Sequence, residues 1–123
     1  MIEEELTEKI IGAAIEVHGL LGAGLLESAY EECFCRELDL RGLVYRRQVM
    51  LPVVYKGHQV DASYRLDLLV ENTVVVELKC IDKILPIHES QLLTYLRLSK
   101  RRVGLVINFN VRLLKDGILR RVR

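Results

Sequence analysis

Charge set inside two apolar strands constrains this chain more than any other feature. Tyr64-Arg65-Leu66-Asp67-Leu68-Leu69-Val70 is followed, after Glu71-Asn72, by Thr73-Val74-Val75-Val76-Glu77-Leu78-Lys79. Both runs have strand composition, and the junction between them is polar and turn-prone. Asp67, Glu77 and Lys79 stand where a buried strand carries apolar residues, and buried charge is costly unless it is paired or holds a metal. Side chains alternate across a strand with period two. Leu66, Leu68 and Val70 then share one face of the first strand, and Arg65 and Asp67 the other. Val74, Val76 and Leu78 share one face of the second, and Glu77 and Lys79 the other. Superposing the apolar faces superposes the charged ones, so the three heads project together. Parity fixes the loop. A two-residue turn would pair Leu66 with Glu77 and put Asp67 on the wrong face, whereas a three-residue loop, Glu71 to Thr73, pairs Asp67 with Glu77. An odd loop or a bulge is therefore expected.

Opposed carboxylates at cross-strand distance repel each other, and a divalent cation between them removes the penalty. Hard oxygen ligands suit Mg²⁺ or Mn²⁺. Asp67 and Glu77 with the Leu78 carbonyl could hold one ion, water and a phosphate oxygen completing its shell. Such an ion lowers the pKa of bound water and polarises a phosphorus–oxygen bond. Lys79 would orient that water or stabilise charge on the phosphoryl group. The competing reading of the trio is a cross-strand ion pair on a wet face of the sheet, worth a fraction of a kcal/mol.

The rest of the chain supplies a frame for such a pair of strands. Leu6, Ile10, Ala13, Ala14 and Val17 recur at helical spacing over residues 4–18, and Leu26, Ala29, Tyr30, Cys33, Phe34 and Leu38 do so over 25–41. Gly19 to Gly24 separates them, and Gly42 suits a left-handed helix end. Strands are expected over Val44–Leu51, with Pro52 as a bend or edge feature, over Val53–Tyr55, which continues the first or starts another, and over Gln59–Val70. Pro86 opens a helix to about Ser99. Val103–Phe109 is a compact apolar strand, and Val111–Val122 holds a last strand or two turning at Asp116-Gly117. The order predicts an α+β mixed sheet with helices packed on it.

At 123 residues the chain suits a single domain, 1–123, with one core. No apolar run reaches the ~20 residues of a membrane span, so no membrane partner is expected. The acidic start lacks the pattern of a secretory leader. Cys33, Cys35 and Cys80 are odd in number and lack zinc spacing, so they read as small reduced core residues of a cytoplasmic protein. The net charge of +1 hides an asymmetry. Residues 1–40 carry ten acids against Lys9 and Arg36, and residues 97–123 carry nine basic residues against Asp116. Lys100, Arg101, Arg102, Arg120 and Arg121 could track a phosphate backbone, or could form a solvated face that balances the acidic end.

With these residues placed, the chain resembles the GxxExxY proteins, a branch of the PD-(D/E)XK nuclease superfamily. Gly24-Leu25-Leu26-Glu27-Ser28-Ala29-Tyr30 fits the name motif. The Asp67 segment with Val76-Glu77-Leu78-Lys79 is similar to the acid and E-x-K elements. His88-Glu89-Ser90-Gln91-Leu92-Leu93-Thr94-Tyr95-Leu96 is similar to the following helix, and Gly104-Leu105-Val106-Ile107-Asn108-Phe109-Asn110 to the next strand. The resemblance spans nearly the whole chain. It implies a restriction-endonuclease-like core with an α-β-β-β-α-β order at its centre. It implies that Asp67 and Glu77 are metal ligands, that Lys79 is catalytic, and that Glu27 is a further acid of the same site. Gln91 and Tyr95 would face the site from the helix after the lysine. Leu66 stands where the superfamily usually has a proline.

The residues themselves leave some of these roles open. An acid such as Glu27 near a helix start is also favoured by the dipole. Tyr30, one turn later, packs or hydrogen-bonds a ligand carboxylate. His88, Gln91 and Tyr95 share a helix face, which is either a site wall or a solvated stripe. His18 and His58 read as structural or exposed. Two functional readings follow. One is a Mg²⁺-dependent phosphodiesterase acting on DNA, less readily RNA. The other is a non-catalytic nucleic-acid- or protein-binding module on the same fold. So small a surface makes a homodimer or a partner protein plausible for either.

Overall fold

The computed structural model describes residues 2–123, and of Ala62 and Ser63 the backbone alone. Three helices, α1 (Glu4–Leu21), α2 (Glu27–Leu40) and α3 (Pro86–Ser99), pack on a sheet of β1 (Tyr45–Tyr55), β2 (His58–Val70), β3 (Val74–Lys79), β4 (Val103–Asn108) and β5 (Ile118–Val122). The five strands lie in sequence order across the sheet. Only β3 and β4 run parallel, and α3 connects them. The sheet is mixed and the class α+β. No helix among the described residues is long and apolar enough to cross a membrane.

Both faces of the sheet centre are covered, which is why β3 and β4 read as near-continuous apolar runs rather than as alternating ones. Leu68, Val70, Val74, Val76, Leu78, Leu105 and Ile107 pack with Ile10, Ala13, Ala14 and Val17 of α1 and with Tyr30, Phe34 and Leu38 of α2. Leu51, Leu66, Leu69, Val75 and Val106 pack with Leu92 and Leu96 of α3. Gly104 permits that second contact: a Cβ there would lie 2.7 Å from Leu92 Cδ1.

The helix and strand expectations hold to within a few residues, and Gly42 ends its helix at φ +72°. Pro52 lies on the edge strand, where the β1–β2 register shifts between Leu51 and Val53. Val70 pairs with Val74, leaving Glu71 to Thr73 as the three-residue loop that parity requires. The reading of the cysteines as core residues is corrected for Cys33. Residues 111–122 hold a single strand, β5, after Leu114–Gly117 coils into a 3-10 turn. Gly117 is pressed against β4 there, and a Cβ would meet the Asn108 carbonyl oxygen at 2.3 Å. Cys33 is exposed, whereas Cys35 is buried and Cys80 half-buried, and all three thiols are free.

Candidate metal centre

The β2–β3 ladder ends where the charges begin. Leu68 pairs with Val76, and one step further Asp67 and Glu77 stand level with each other. Here side chains replace the ladder. The Asp67 N–H donates to Glu77 Oε2 at 2.8 Å, and the Leu78 N–H donates to Asp67 Oδ2 at 2.8 Å. Each carboxylate thus satisfies a backbone donor of the opposite strand. Strand alternation slips at the same point, since Leu66 packs toward α3 and Leu68 toward α1 and α2. On β1, Gln48 lies at this level between the pairs Arg47–Leu68 and Val49–Leu66, with φ +51°. Gln48, Asp67 and Glu77 therefore mark one line along which the sheet departs from regular pairing.

Burial sets the electrostatics. Glu77 is 6% exposed. Loss of solvent, then the Asp67 charge, pushes its carboxyl up to about 8, against the Asp67 N–H and the Lys79 ammonium. Burial also raises the Asp67 carboxyl, opposed first by the hydrogen bond from Leu78. Glu27 is raised by burial and by Asp67, with Lys79 opposing. Glu27, Asp67, Glu77 and Lys79 thus sit within electrostatic reach of one another, three acids around one ammonium. Acids held above their ordinary range by burial and mutual repulsion form a donor set that a hard cation relieves, so the residues present fit such an ion. No group of three or more His, Cys, Asp and Glu side chains among the described residues gathers as a ready-made cage.

Asp67 opens into a cavity of about 400 Å³ whose far wall is the first half of α2. Glu27 and Glu31, one turn apart, face it. Arg47 binds Glu31 Oε2 through Nε at 3.1 Å and Nη2 at 2.6 Å, and Glu32 Oε1 through Nη2 at 2.7 Å. Gln48 Nε2 donates to Glu31 Oε1 at 3.1 Å. Glu31, Arg47 and Gln48 were not singled out from sequence. Helical periodicity could have found Glu31, four residues after Glu27; nothing local marks Arg47 or Gln48, whose place depends on the β1 register.

Other expected site residues fall in different surroundings. Tyr30 is fully buried. Its hydroxyl donates to the Gly22 carbonyl and accepts from the Leu25 N–H, and its ring stacks on Phe109 at 4.5 Å. It pins the turn that leads into Glu27 rather than lining the cavity. His88 Nδ1 accepts the Leu85 N–H at 2.8 Å, which caps α3 locally. Tyr95 is half-buried, and its hydroxyl is raised by burial and then by the Glu77 and Asp67 charges, which puts it on the site side of α3. Gln91 is exposed one turn earlier on that helix.

The basic group lies away from the carboxylates. Val74 pairs with Val103 and Lys79 with Asn108. Lys100, Arg101 and Arg102 therefore precede β4 at the end opposite Lys79, roughly 16 Å away along the strand. Arg120 and Arg121 pair with Leu105 and Gly104, in the half of β4 toward that far end. Arg101 binds Asn72 and the Ser99 carbonyl, Arg120 binds Thr7 and the Ile2 carbonyl, and Arg121 binds Glu89 Oε1 at 2.6 Å. Lys100 and Arg102 are exposed.

A mixed sheet flanked by helices, with an acid on one central strand and an E-x-K segment on the next, defines a restriction-endonuclease-like protein. The family model of the PD-(D/E)XK nuclease superfamily matches residues 4–122, and the chain belongs to that superfamily. Neither the curated proteins nor the solved structures yield a significant match.

Proposed function

We propose that this protein is a metal-dependent phosphodiesterase that cleaves DNA, all of its residues forming one nuclease domain. The observation that carries this reading is the dislocation at Asp67 and Glu77, where two desolvated carboxylates meet beside Lys79. Asp67, Glu77 and the Leu78 carbonyl would hold Mg²⁺ or Mn²⁺. Once bound, such an ion supplies a nucleophilic water and polarises the phosphoryl group. Lys79 places a positive charge two residues after Glu77, where it stabilises the added charge of the transition state. Glu27 adds a third acid to the same field. Gln91 and Tyr95, on α3, orient the nucleophile from the other side. The three free thiols suit a reducing, cytoplasmic setting.

The test is cleavage of supercoiled and branched DNA, with a single-stranded RNA arm, in Mg²⁺ or Mn²⁺. Wild type is expected to cleave, with Asp67→Ala and Lys79→Ala each losing roughly 10²-fold or more. Equal cleavage by all three would assign the activity elsewhere. No cleavage, with salt-sensitive DNA binding that Lys79→Ala leaves intact, would make the protein a binding module.

A further inference from the structure

Among the described residues, six other than glycine have a left-handed backbone, and five of them lie in turns or at helix ends. Glu3 and Lys100 flank α1 and α3, Lys56 turns the β1–β2 hairpin, and Glu71 and Asn72 form the β2–β3 loop. Gln48 alone sits within a strand, at φ +51°. This conformation is disfavoured for an L-residue and persists only where the surroundings hold it. It also breaks the alternation that would otherwise set the direction of the side chain.

We propose that Gln48 is a positioning residue for Asp67: its amide bridges the Asp67 carboxylate to Glu31 and holds that carboxylate ready for the cation. This rests on the metal-dependent reading above. The amide nitrogen carries two donors. One goes to Glu31 Oε1 at 3.1 Å, and Gln48 stands level with Asp67 across the β1–β2 pair and lines the same cavity, which leaves the second donor for that carboxylate. Glu31 is itself fixed through its other oxygen by Arg47. Asp67 is fixed from β3 by the Leu78 N–H, and Gln48 would hold it from β1. A carboxylate oxygen has more than one acceptor site, so a carboxylate held this way still has capacity for an ion. Outer partners of metal ligands act in this manner, by removing the freedom of the ligand before the metal arrives.

The left-handed backbone allows a test that separates positioning from folding. Glycine adopts this φ readily, and asparagine tolerates it while its amide is one methylene shorter. Mn²⁺ titration calorimetry and metal-free thermal melting are run on wild type, Gln48→Gly, Gln48→Asn and Arg47→Ala. The expected result is a metal-free melting temperature for Gln48→Gly at or above that of wild type, with Mn²⁺ affinity about 10-fold weaker or more in both Gln48 variants. Wild-type affinity in both would overturn the role of Gln48 and leave the metal site standing. Arg47→Ala frees Glu31, the anchor of the amide, and is expected to weaken Mn²⁺ binding less than either Gln48 variant; a larger loss there would assign the effect to the α2–β1 contact and overturn the role of Gln48. Absence of Mn²⁺ uptake by wild type would sink the metal reading itself, and this role with it.

Discussion

Glu77 is the residue on which folding and the proposed metal site pull in opposite directions. Its carboxyl is held up to about 8, mainly by burial and next by Asp67. In the unfolded chain the same group releases its proton near 4.5. Between those two values the folded protein keeps a proton that the unfolded chain has lost. Stability from this group therefore falls as pH rises from about 4.5 to about 8, and the penalty is complete above about 8. Glutamine has nearly the same shape, still accepts the Asp67 N–H and never ionises. Metal-free Glu77→Gln is expected to melt about 5 °C or more above wild type at pH 8.5, and to match it near pH 5. Added Mn²⁺ should reverse the order at pH 8.5, because the ion stabilises only a protein that binds it. Thermal melts across pH 5–9, with and without Mn²⁺, provide the measurement. Parallel curves for the two proteins would mean that Glu77 is not held protonated by its surroundings.

At the scale of elements, what could be read in advance was whatever depends on local periodicity. The apolar stripes of α1 and α2 and the proline that opens α3 are written in consecutive residues. So is the loop from Glu71 to Thr73, because strand parity ties Asp67 to Glu77 without knowledge of the rest of the fold. Contacts between distant segments were not legible. Gln48 reaches the Asp67 level only through the register of the long β1–β2 pairing. Tyr30 looked available for the site until packing placed Phe109 against it. The 3-10 form of the turn before β5 was not legible either, since Asn108, against which Gly117 packs, is marked by nothing local. Asn108 is fully buried, its Oδ1 accepts the N–H groups of Ile81 and Asn110, and its Nδ2 donates to the Ile81 carbonyl. It clamps together the segments that follow β3 and β4, immediately beyond Lys79. Asn108→Ala would leave the N–H and carbonyl of half-buried Ile81 and the N–H of Asn110 without this partner. A loss of about 2–4 kcal/mol is expected in urea denaturation. A loss below about 0.5 kcal/mol would mean that water replaces the amide and that these segments hold themselves.

Over the whole molecule, the arginines at the end of the chain differ in what they touch. Arg120 of β5 reaches Thr7 and the Ile2 carbonyl at the start of the chain, Arg121 reaches Glu89 of α3, and Arg123 reaches the Arg101 carbonyl. Arg120 and Arg121 thus tie β5 to α1 and α3, on the two faces of the sheet. Arg112 and Lys115 differ. They follow Asn108, the β4 residue level with Lys79, and flank a cavity of about 510 Å³ at the carboxylate end of the sheet. Both are exposed. Arg112 and Lys115 follow the end of β4 that is level with Lys79, whereas Arg120 and Arg121 pair toward its other end, so a duplex engaged at Asp67 and Glu77 is expected to meet the first pair before the second. Each phosphate contact neutralised by a basic side chain contributes close to one unit to the slope of log affinity against log salt concentration. Arg112→Ala with Lys115→Ala is therefore expected to weaken DNA binding and to flatten that slope by roughly 1–2, with the melting temperature unchanged. Arg120→Ala with Arg121→Ala should do the reverse, lowering the melting temperature by several degrees while the slope of the folded protein stays near that of wild type. Fluorescence anisotropy over a salt series, paired with thermal melts, measures both. A full slope in the first pair and a flattened one in the second would move the nucleic-acid contact to the far end of the sheet and detach it from the carboxylates.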